Sequence, residues 1–76
     1  MAEAADYRIL VKGAVPEDWH GRFGELRVTV EKQNGDCVTL LEGRLRDRAA
    51  LTGVLNTLYE LHHSVLSVER LEEDED

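Results

Sequence analysis

Glu25-Leu-Arg-Val-Thr-Val-Glu-Lys-Gln-Asn-Gly-Asp-Cys-Val-Thr-Leu-Leu-Glu-Gly-Arg-Leu45 decides the architecture. From Glu25 to Glu31 it alternates strictly, with Leu26, Val28 and Val30 on one face, as a half-buried strand requires. Asn34-Gly35 follows at once, and both residues tolerate the positive φ of a type I′ hairpin turn. The next strand is Asp36–Leu45. A two-residue turn sets Gln33 opposite Asp36, Val30 opposite Thr39 and Val28 opposite Leu41. The inner face then carries Thr39, Leu41, Gly43 and Leu45, while Val38 and Leu40 point the other way.

Upstream, Tyr7–Lys12 is a short β-rich run ended by Gly13, the first strand. Ala14–Gly24 is a loop punctuated by Pro16, Gly21 and Gly24, in which Pro16–Trp19 can form one helical turn. Downstream, Asp47 has the character of an N-cap for a helix from Arg48 to about His62. Leu51, Val54, Leu55, Leu58, Leu61 and His62 share one stripe of that helix. Val65–Leu71 alternates again as a fourth strand, with Leu66 and Val68 inward.

The order β-β-β-α-β predicts an α+β two-layer sandwich, a four-stranded, mostly antiparallel sheet with one helix on one face. The helical crossover makes the third and fourth strands parallel. Strand order 2-3-1-4, with the first strand between that pair, satisfies the pairing rules.

Thr39-x-Leu41-x-Gly43-x-Leu45-x-Asp47, followed by Ala49-Ala50-Leu51-x-Gly53-x-Leu55-x-x-Leu58, resembles a group of short uncharacterised bacterial proteins. The closing strand Leu66-Ser-Val68 belongs to the same pattern. The resemblance covers roughly the second half of the chain. It is a packing pattern, so it implies a fold and no activity.

Length confines the chain to one domain: 76 residues, 42% hydrophobic and 33% charged. We expect a flexible N-terminus over 1–6, the folded domain over 7–71, and a disordered acidic tail over 72–76. The net charge is −7, but Glu72, Glu73, Asp74, Glu75 and Asp76 carry five of the 16 acids. Without them 11 acids face 9 bases, so the body is nearly neutral. An acidic total argues against nucleic acid, where phosphate neutralisation dominates affinity. No apolar run approaches the roughly 20 residues of a membrane span, so no membrane partner is expected. The one cysteine, Cys37, excludes an internal disulfide framework and suits a cytoplasmic setting.

Chemistry-bearing residues are sparse. His62 and His63 are adjacent, so on a helix they diverge by about 100° and do not grip one metal easily. His20 sits in a glycine-flanked loop, and Cys37 has the character of a small apolar filler. The six glycines lack a phosphate-cradling spacing, and no serine stands in a nucleophile elbow. We therefore expect no enzyme, no catalytic residue, no metal and no cofactor.

Three surfaces remain. Arg44, Arg46 and Arg48 flank the helix N-terminus, where free N–H groups and the dipole favour an anion. On the far side of the helix, Ala49, Gly53, Asn56 and Thr57 form a small, uncharged strip. From Arg48 to His62 only Arg48 and Glu60 are charged, where the chain average predicts about five. Gly53 costs about 1 kcal/mol against alanine there, which invites a close-packing reason. The third surface is the uncovered sheet face with Val38 and Leu40. A small core often gains stability by association, so the expected partner is a second copy or another protein.

Overall fold

The structure, a computed structural model, describes residues 4–71. Its elements are β1 (Ala5–Lys12), a 3-10 helix (Glu17–Phe23), β2 (Arg27–Gln33), β3 (Asp36–Leu45), α1 (Arg48–Glu60) and β4 (Val65–Leu71). The strands form one sheet in the order β2-β3-β1-β4. β1 is antiparallel to both β3 and β4, so those two run parallel, as the helical crossover demands. This is the α+β, β-β-β-α-β sandwich the sequence predicts. The expected acidic tail, 72–76, lies outside the described residues. Ala5 and Asp6, expected in a flexible N-terminus, belong to β1, where Ala5 is buried opposite Leu45.

The hairpin register is the expected one, with Gln33 opposite Asp36, Val30 opposite Thr39 and Val28 opposite Leu41. Asn34 at φ 52 and Gly35 at φ 87 supply the two left-handed positions that hold it. The inner face buries Tyr7, Ile9, Val11, Thr39, Leu41 and Leu45. α1 adds Val54 and Leu58 from above, with Leu51, Leu55 and Leu61 packed alongside.

The segment between β1 and β2 is more structured than the sequence suggests. Its 3-10 helix runs seven residues, with Pro16 as the N-cap residue at φ −60. It packs against α1 and delivers Val15, Phe23 and Leu26 into the core. Thr39 holds its beginning: the buried hydroxyl donates to the Gly13 carbonyl at 2.7 Å and accepts from the Val15 N–H at 3.0 Å. Gly43 admits its end. A Cβ there would stand 3.1 Å from both the Glu25 carbonyl oxygen and Leu26 Cα. The chain crosses the inner face so closely that only glycine fits without displacement.

Asp47 caps α1 as expected, its Oδ1 accepting from the Ala50 N–H at 2.9 Å. The other end differs from expectation. The helix stops at Glu60, and His62 turns left-handed at φ 62 instead of continuing the apolar stripe. The His62 N–H donates to Tyr59 O at 3.0 Å and the His63 N–H to Leu58 O at 3.1 Å. That pair of bonds is a Schellman motif, which satisfies carbonyls the last turn would otherwise orphan.

Candidate functional site

The uncovered sheet face is a charged ladder rather than an apolar patch. Arg8 Nε meets Glu42 Oε2 at 2.8 Å, and its Nη1 lies 3.6 Å from Glu69. The hydrogen bond to Glu42, and then that carboxylate's charge, raise the Arg8 guanidinium above its ordinary pKa. Val38 and Leu40 do lie on this face, with Leu40 opposite Leu10. Val38 is buried, however, and Leu40 and Leu10 are half-buried. Val38 has Lys12 and Glu31 directly opposite, long side chains of the kind whose stems cover apolar surface. The expected apolar exposure here is therefore small.

The arginines separate. Arg44 Nη1 reaches Asp6 at 3.5 Å on the ladder face. Arg44 and Arg46 line a cleft of about 490 Å³ with Gly24, Glu25, Leu45 and Ala50, whereas Arg48 does not line it. Asp6 and Glu25 already bring carboxylates to this corner.

On the helix, Ala49, Gly53 and Asn56 are exposed and Thr57 is half-buried. Thr57 Oγ1 donates to the Gly53 carbonyl at 3.0 Å. A Cβ on Gly53 would meet nothing within 4 Å, so no packing among the described residues calls for that glycine.

Exposed apolar surface collects elsewhere, at β4. Among the described residues the exposed large hydrophobics are Val30, Tyr59, Val65, Leu66 and Val68. Four of these five belong to β4 or the last turn of α1. Val68 faces inward opposite Ile9, as alternation predicts, yet it is 43% exposed while Ile9 is 0%. Leu66, also expected inward, is 51% exposed. It has no opposite residue on β1, because Val65 pairs with Val11 and Ser67 with Leu10, which makes Leu66 the extra residue of a bulge. The physical reason is coverage. α1 packs chiefly over β3 and against the 3-10 helix, which leaves the inner face of β4 open.

A groove of about 600 Å³ runs between the two, lined by Leu55, Tyr59, His62, His63, Ser64 and Val65. His63 fixes its floor, with Nδ1 3.0 Å from the Lys12 carbonyl, an acceptor that requires the proton on Nδ1. The Lys12 N–H donates to Ser64 O at 2.9 Å. Lys12, His62 and His63 thus mark one end of β4. His20 sits apart, its Nε2 3.1 Å from the Val15 carbonyl. Cys37 is exposed near the hairpin turn and does not fill the core as expected, since it stands on the inner face beyond the covering segment. Among the described residues no three His, Cys, Asp or Glu side chains gather as a metal would require. No described helix is long and apolar enough to cross a membrane.

Sequence periodicity missed this corner because Val65–Val68 has the same alternation as a covered strand. The available signal was compositional. Val65-Leu-Ser-Val68 is uncharged throughout, and the preceding helix is short.

The fold is thus a small open-faced α+β sandwich whose β4 edge carries most of the exposed apolar strand residues among those described. The chain belongs to a family described as a domain of unknown function (DUF8691), whose model matches residues 6–69. The match takes in β2, β3 and α1 whole and all but the outer ends of β1 and β4. No curated protein matches the chain. No solved structure matches it either.

Proposed function

We propose that this domain is a non-enzymatic protein-interaction module that self-associates through β4 and the adjoining end of α1. One observation carries the reading: apolar side chains lie bare along a strand whose outer backbone edge is unpaired among the described residues. An edge strand with free N–H and C=O groups is a template for another strand, and proteins normally blunt it with charge. Residues 65–68 carry none. Strand addition supplies main-chain hydrogen bonds, while exposed Val65, Leu66 and Val68 supply the apolar contact.

Sedimentation velocity tests it. The wild-type chain should be dimeric at about 100 μM, a concentration that reveals even a micromolar dissociation constant. Val68→Glu should be monomeric and still folded, because the site is exposed. A wild-type monomer at that concentration removes the reading.

A second reading, a domain that senses a small anion, rests on the cleft lined by Arg44 and Arg46 beside the start of α1. Asp6 and Glu25 work against it by neutralising that corner. Titration with inorganic phosphate, followed by the amide shifts of Leu45 to Ala50, separates the two readings. Saturable movement supports the anion site; no movement removes it.

A further inference from the structure

We infer that β4 pairs antiparallel with β4 of a second copy, about a two-fold axis at Val68, so that the acidic run of each copy passes the Lys12, His62 and His63 corner of the other. This rests on the self-association proposed above and adds its geometry. Two observations carry it, the direction of β4 and the charge at its two ends. β4 begins beside Lys12, His62 and His63 and ends at Leu71. Five acids, Glu72 to Asp76, follow directly in the chain.

A parallel pair would set the two acidic runs side by side and the two basic corners together. The antiparallel pair does the opposite at both ends. It places each acidic run against a corner carrying one lysine and two histidines. With a reach of at most about 3.4 Å per residue, five residues are long enough to span the corner of Ser64, His63 and His62 of the neighbour.

Register follows from the side chains. Opposite residues of an antiparallel pair share a face, so a two-fold axis normal to the sheet passes through a residue. Centred on Val68, all seven β4 residues find a partner: Val68 meets Val68, Ser67 meets Glu69, Leu66 meets the aliphatic stem of Arg70, and Val65 meets Leu71. Centring on Glu69 would set two carboxylates face to face, and like charges directly opposite destabilise a sheet. Centring on Ser67 would set apolar Val65 against Glu69 and leave both ends unpaired.

Disulfide trapping reads the geometry. Opposite Cα atoms in an antiparallel pair lie about 4.5–5.5 Å apart, within disulfide range. In a Cys37→Ser background, Val68→Cys should oxidise to a covalent dimer, whereas Thr29→Cys on the β2 edge should not. Removing residues 72–76 should weaken the dimer about tenfold at low salt and leave it unchanged at about 1 M salt, where the Debye length falls to about 3 Å. A dimer that cross-links through Thr29 and not Val68 overturns the arrangement while leaving self-association standing. Truncation that tightens the dimer overturns it too, because the acidic runs would then be repelling each other. A wild-type chain that stays monomeric removes both.

Discussion

β2 and β4 are the two edges of one sheet, and they are finished differently. β2 reads Arg27-Val-Thr-Val-Glu-Lys-Gln33, with charge at both ends and Lys32 on the same face as Val28 and Val30. An inward-pointing charge at an edge is a recognised way to discourage a second strand. β4 opens with four uncharged residues, and its charges, Glu69 and Arg70, come late. The inner faces differ as well. The loop and 3-10 helix between β1 and β2 fold over the β3 side, held by Thr39 and admitted by Gly43. Among the described residues nothing comparable reaches β4. Among those residues, one side of the core is closed from within the chain, and the other stays open at β4.

The largest expected effect tests that asymmetry on a single cross-strand pair. Ile9 and Val68 stand opposite each other on the same face, one wholly buried and one nearly half exposed. Ile9→Ala should cost about 2–5 kcal/mol, a large part of what so small a core supplies. Val68→Ala should cost under about 1 kcal/mol in the dilute monomer, the span of strand-propensity effects. Urea denaturation of both variants measures the contrast. Equal losses would mean that β4 is covered after all.

Next in size is the closure of the β3 side. Thr39→Val keeps the shape but removes the hydroxyl that both donates to Gly13 O and accepts from Val15 N–H. An unsatisfied buried polar group costs about 1–3 kcal/mol, so the variant should lose that much. Hydrogen exchange should quicken at Val15 and through the 3-10 helix, and not along β4. Uniform loosening of the whole sheet would show instead that the hydroxyl does not act locally.

Legibility followed locality. Hairpin register, helix cap and the parallel sense of β3 and β4 could be read because each is fixed by neighbours in the chain: Asn34-Gly35 at the turn, Asp47 at the cap, and a helical crossover between the two strands. What escaped depended on contacts between distant segments. Alternation in Val65–Leu71 marks a strand with an apolar face but does not say whether the helix lies over that face. Apolar Val38 suggested exposure, whereas Lys12 and Glu31 flank it from two other strands. His62 fitted the helical stripe by spacing, but a Schellman turn takes it out of the helix, and the usual glycine marker is missing there. The arginines stand at alternate positions of one short run, yet Arg44 points to the ladder face and Arg48 stands outside the cleft that Arg46 shares with Arg44.

The smallest effect concerns the turn that leads into the bare edge. His62 occupies a left-handed position that costs an L-residue roughly 1–2 kcal/mol and that glycine fills freely. Glycine gives back about 0.4–1 kcal/mol through its looser unfolded chain, so His62→Gly should stabilise the monomer by about 0.5 kcal/mol. In a domain of this size that raises Tm by roughly 2–4 °C. The same change removes a basic side chain from the corner where the neighbour's acidic run is proposed to pass. Fold stability and association should therefore move in opposite directions, with a higher Tm in dilute protein and a weaker dimer at low salt. If His62→Gly strengthens both, the corner contributes nothing to pairing, and the acidic run of the second copy goes elsewhere.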